Sequence, residues 1–120
     1  MKIKLRTIVD SANGAHKLGK LKLKAKFAYE LSKSIEKIDK ELKAFTGVRN
    51  KKLKEFGVES KENKGNYTFE GDNQAKFQKE LDSLLDKEVA INVEKFSIEE
   101  LNEVDVEPNI LRPLSWLIKG

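Results

Sequence analysis

His16 is the one histidine of the chain and the side chain whose ordinary pKa best suits proton transfer near neutrality. General-base work would need a nucleophile or an orienting carboxylate beside its imidazole. Only Asp10 and Ser11 lie close to it in sequence. The chain has no cysteine, which excludes disulfides, thiolate metal sites and cysteine nucleophiles. What remains is an all-oxygen site for a hard cation. Glu99, Glu100, Glu103, Asp105 and Glu107 are dense enough to suggest one, but they lack the glycine and alternating ligands of a calcium loop. They are read as a solvated acidic surface. Gly14 and Gly65 are isolated, so no run of backbone N–H groups is predicted to cradle a phosphate. These residues predict neither an enzyme nor a bound cofactor or metal, and His16 is read as a polar residue of a first helix.

Binding residues are easier to find. Lys17, Lys20, Lys22, Lys24 and Lys26 crowd into one short stretch, with Phe27 and Tyr29 just after them. Lysines neutralise phosphates as point charges, giving salt-sensitive and sequence-blind affinity. Base-specific readout leans on Arg, Asn or Gln, and the first half of the chain has only Arg6 and Arg49 as arginines. A nucleic acid is therefore one candidate partner, although a solvated helix face explains the lysines more simply. Trp116, the only tryptophan, lies in an apolar close with Ile110, Leu111, Leu114, Leu117 and Ile118. It is expected to dock onto the core; the alternative is an anchor for a partner. Charge is polarised along the chain. Residues 1–54 hold 16 Lys/Arg against 5 Asp/Glu, a balance of +11, and residues 55–120 hold 8 against 15, a balance of −7. Such asymmetry offers a basic surface to an anionic partner, or lets the two halves neutralise each other on folding, and the second is the simpler expectation.

The elements that would carry these residues are mostly helices. At 120 residues the chain is sized for one domain. Its 38% hydrophobic and 37% charged content suits long helices with one buried stripe. Met1 to Leu5 alternate as a short strand would. Leu5, Ile8, Ala12 and Ala15 then recur at helical steps, interrupted at Asn13 and Gly14 and ending near Gly19. Phe27, Leu31, Ile35, Ile38, Leu42, Phe45, Leu53 and Phe56 predict one long amphipathic helix over residues 24–56, with Thr46 and Gly47 the place for a bend. Residues 57–73 read as a polar loop with one short strand at residues 66–69. Asp72 or Asn73 should cap a second amphipathic helix through Phe77, Leu81, Leu84 and Leu85 that folds back on the long one. Residues 88–96 alternate as a strand, and Ser97 with Glu100 has the form of a capping box. Pro108 suits a first helical turn, and Pro113 should shorten or restart the last helix. No apolar run approaches the roughly 20 residues that span a bilayer, and residues 1–10 lack a signal peptide's apolar segment.

Four stretches in order resemble a family of small, uncharacterised proteins of tailed bacteriophages. They are Ala15, His16, Lys17 and Leu18 before the lysine-rich helix start, and Arg49 to Leu53 running into Glu55, Phe56 and Gly57. Then follow Phe77 to Leu81 with Leu84 to Val89, and the close from Glu107 and Pro108 to Leu114, Ser115, Trp116, Leu117 and Ile118. The resemblance spans nearly the whole chain. It implies a viral origin and a small accessory or structural role, and transfers no functional residue.

The expected fold is α+β and predominantly helical, a single domain over residues 1–120. It has a long antiparallel helical hairpin over residues 24–86, and a small β-sheet from some of residues 3–5, 67–69 and 89–93. A C-terminal strand and short helices fill residues 88–119. The expected function is that of a non-enzymatic phage module. It would bind a phage or host protein in particle assembly or host takeover, in the host cytoplasm or the virion. Nucleic-acid binding through the basic half is the alternative, no membrane partner is expected, and association with further copies is open.

Overall fold

The computed structural model describes residues 1–119 and is α+β, mostly helical. Helix α1 spans Leu5–Gly19 and buries Leu5, Ile8, Ala12, Ala15 and Leu18, one face of a 3.6-residue repeat. It runs unbroken through Asn13 and Gly14, contrary to the expected interruption. Gly14 is buried, and a Cβ there would sit 2.8 Å from the Ile110 carbonyl oxygen. The missing side chain is thus what lets the C-terminal segment close on α1. Buried Ser11 is satisfied locally, its hydroxyl donating to the Ile8 carbonyl at 2.8 Å.

Helix α2 spans Ala25–Phe56, 32 residues and about 48 Å at 1.5 Å per residue. It continues through Thr46 and Gly47 as one helix. Its buried residues are Phe27, Leu31, Ser34 and Ile38. Beyond Ile38 the apolar stripe goes on: Leu42 still packs against the core, whereas Val48 is exposed.

Two separate antiparallel pairs form, one from the first and last of the expected segments and a second at Tyr67–Phe69. Strand β1, Lys2–Lys4, pairs with β4, Glu88–Ala90, setting Ile3 opposite Val89. Strand β2, Gly57–Glu59, pairs with β3, Tyr67–Phe69, setting Val58 opposite Thr68. The second pair is a local hairpin, whose short loop closes at small entropic cost. The expected polar loop over residues 57–73 is therefore partly structured. Helix α3, Asn73–Leu85, returns antiparallel along α2, so Phe56 lies beside Lys76, and Val48 beside Leu84. Asp72 stands at its N-cap without a capping bond and pairs instead with Lys76 at 3.5 Å.

After β4 the chain stays extended, without a ladder, to Phe96. Ser97 Oγ caps the 3-10 turn Ile98–Leu101 by accepting from the Glu99 N–H at 3.3 Å, in place of the expected reciprocal box with Glu100. Helix α4, Pro108–Leu111, passes into a 3-10 helix, Arg112–Leu117, at the second proline. Phe96 then bridges the end of the chain in parallel, its N–H donating to Leu117 and its carbonyl accepting from Lys119, both at 2.8 Å.

The core lies where α1, the first half of α2 and this C-terminal segment meet. Ile8, Ala15, Leu18, Ile38 and Leu114 are fully buried there, and the Phe27 and Phe96 rings pack 5.0 Å apart. A smaller cluster holds the far end, with the Phe69 and Phe77 rings 5.3 Å apart and Leu81 buried beneath. The molecule measures 52 × 32 × 21 Å, and its radius of gyration is 17.4 Å, against roughly 14 Å for a compact chain of this length. It is a packed body with an arm made of the second half of α2, β2, β3 and α3. Among the described residues no helix is long and apolar enough to cross a membrane.

Candidate functional site

Folding gives His16 the carboxylate that its sequence neighbours do not. Its Nε2 lies 2.7 Å from Asp39 Oδ1 on α2, a pairing made by the antiparallel crossing of α1 and α2. No sequence signal marks it, because the two residues are 23 positions apart. The pair is solvent-exposed, and Ser11, the nucleophile nearest in sequence, is buried with its hydroxyl committed to Ile8. The geometry makes His16 and Asp39 a surface link between two helices. Among the described residues no three His, Cys, Asp or Glu side chains gather as a metal site would require.

The polarised charge is neutralised internally only in part. Among the described residues Arg6 and Lys52 of the basic half form ion pairs with acids far along the chain, and Glu94 acts on Lys33. Arg6 lies 3.8 and 3.3 Å from Asp82 and Asp86, and Lys52 lies 3.8 Å from Glu80. Lys17, Lys20, Lys22, Lys24 and Lys26 are all exposed and take part in no ion pair there. Trp116, the sixth candidate, is half-buried and packs against the core rather than standing out as an anchor. Its indole Nε1 is buried without a partner among the described residues.

An open surface lies on the arm, at residues the sequence reading had placed in the helical hairpin and not in a site. Two adjoining clefts of about 380 and 310 Å³ run between α2 and α3, sharing Glu80 and Ser83. Val48, Phe56 and Leu84 supply their apolar surface, and Val48 is 41% exposed. Lys52, Lys76, Lys79 and Lys87 rim them, with Glu80 the lone carboxylate. Lys52 is engaged by Glu55 at 3.0 Å and by Glu80, and these carboxylates raise its pKa above the ordinary lysine value. Lys76 is engaged by Asp72, whereas Lys79 and Lys87 have no carboxylate partner among the described residues. The arrangement can hold an apolar side chain flanked by acids. Comparison with family models, with curated proteins and with solved structures finds no match to this chain.

Proposed function

We propose that the chain is a non-enzymatic accessory protein of a tailed bacteriophage that works by holding a protein partner on its arm. The viral origin rests on the resemblance of the four stretches described above. The binding role rests on one observation: the cleft between α2 and α3 leaves Val48 and its apolar neighbours open inside a lysine rim. Apolar surface that folding does not use is a common mark of an interface. The partner's chemistry follows from the rim, namely an amphipathic helix whose apolar stripe is flanked by Asp and Glu. The lysines would steer the encounter and the apolar floor would supply the affinity.

The test is capture by the tagged protein from nuclease-treated infected-cell lysate, with wild type and Val48→Asp in parallel. The expected result is a discrete phage or host protein bearing such a helix, held by wild type and reduced about tenfold or more by the charged substitution. Val48 is already exposed, so the variant should melt like wild type. Equal recovery by both proteins, or none by either, overturns the arm as the binding site.

A further inference from the structure

The lysines of the α1–α2 turn sit at the opposite end of α2 from the arm cleft, and the geometry gives them a separate role. We propose that this turn, with the adjoining face of α2, binds single-stranded nucleic acid, its lysines tracking the phosphates and Tyr29 stacking on a base.

The first observation is the shape of the linker. The contact of His16 with Asp39, and of Gly19 with Ile35, sets the end of α1 level with Ile35 of its antiparallel neighbour. Helix α2 begins at Ala25, about 15 Å further along at 1.5 Å per residue. Lys20 still has helical backbone, its N–H donating to the Lys17 carbonyl and that of Leu21 to the Leu18 carbonyl, and by Lys24 the backbone is extended. Leu21 and Leu23 pack against the core, while Lys20, Lys22 and Lys24 are exposed. The three lysines therefore crowd on the open side of this linker, with Lys17 before them and Lys26 after them. None of these five lysines makes an ion pair among the described residues; Lys26 shares a cleft with Glu30, Glu94 and Glu100, and the other four lysines do not line it.

The second observation is aromatic. Tyr29 is 61% exposed, the most of any large hydrophobic side chain described. Lys26, Tyr29, Lys33 and Lys37 recur at three- and four-residue steps, so they share one face of α2. Lys33 Nζ lies 4.7 Å from the Tyr29 ring centroid, and Lys37 is tied to the Asn92 carbonyl. Glu30 and Glu36 are the only acids in residues 17–37, against seven lysines. A cluster of cations beside an accessible ring is an arrangement that holds single strands without sequence preference. Duplex readout would need base-reading side chains set to enter a groove.

The test is fluorescence anisotropy with a labelled oligothymidylate over a range of salt. Each lysine that neutralises a phosphate contributes about −0.7 to the slope of log K against log salt. The triple variant Lys20→Gln, Lys22→Gln, Lys24→Gln should flatten that slope by about 2. Tyr29→Ala should weaken oligonucleotide binding about tenfold, with Tyr29→Phe restoring it, and should leave competition by inorganic polyphosphate unchanged. Glutamine at Lys54, Lys61 and Lys64, on the arm, should leave the slope as in wild type. All these side chains except Tyr29 are polar and exposed, and thermal melts check that the fold survives. The proposal is overturned by no binding at low salt, or by duplex bound as tightly as the single strand. It is also overturned by polyglutamate bound as tightly as the oligonucleotide, by a slope flattened equally by the arm variant, or by Tyr29→Ala without effect.

Discussion

Two glycines in helices show how much a single residue's surroundings decide. Glycine in a helix interior normally costs up to about 1 kcal/mol relative to alanine. At Gly47 a Cβ would meet nothing within 4 Å, so Gly47→Ala should stabilise the protein by about 0.5–1 kcal/mol. At Gly14 the same change places a carbon 2.8 Å from the Ile110 carbonyl oxygen, which is backbone and cannot swing away. Gly14→Ala should therefore destabilise by about 1–3 kcal/mol despite its better helix propensity, and paired urea denaturations would show the opposite signs. From sequence the two looked alike, as interruptions of helical patterns, because the contact that separates them comes from α4 at the far end of the chain. Tyr67 makes a prediction in pH. Its hydroxyl donates to Glu59 Oε2 at 2.8 Å, and this bond, with some burial and the nearby carboxylate charge, raises its pKa above the ordinary tyrosine value. The protonated phenol is the form the folded hairpin favours. Its contribution is complete below the unfolded-state pKa and is lost as pH rises through the higher folded value. Ultraviolet titration should show Tyr67 ionising late, and Glu59→Gln should return it toward the ordinary range.

At the scale of elements, what the sequence disclosed and what it hid have one cause. Helices α1, α2 and α3 were legible because their stripes repeat over many turns, and helical period is a local property. The strand β2 was not, because Gly57, Val58 and Glu59 open a stretch of polar loop composition and only pairing with β3 makes them a strand. The division into two sheets was hidden as well. It depends on which strand each segment meets, and the choice is made by the hairpin for β3 and by the return of α3 for β4. For the same reason the stripe of α2 could be read while its fate could not. Its first part packs on the C-terminal segment, its middle on α1, and its last turns on α3 and the hairpin. The two clusters should respond differently to truncation. Leu114→Ala, at a fully buried position, should cost about 2–5 kcal/mol and lower the stability of the whole body. Phe77→Ala should cost about 3–5 kcal/mol in the small cluster, and hydrogen exchange should place the loss of protection on α3, β2 and β3. Equal loosening of α1 by Phe77→Ala would contradict the division into body and arm.

The whole molecule is a charged lever. Its body is closed by α1 and the C-terminal segment, which leaves half-buried Trp116 inside the fold. Its arm extends the apolar stripe of α2 past that cover. The candidate lysines were legible by composition alone, and the sequence could not show whether acids from the other half would neutralise them. Among the described residues the structure leaves them without ion pairs at one end, and opens a lysine-rimmed cleft at the other that no sequence pattern singled out. The arm cleft as a seat for a protein partner is tested most directly by a photo-crosslinking residue placed at Val48 in infected cells. The same group at exposed Ser115, on the body, serves as the control. The prediction is one discrete protein adduct from position 48 and none of that mass from position 115. No adduct at 48, or the same adducts at both positions, would contradict a partner seated between α2 and α3.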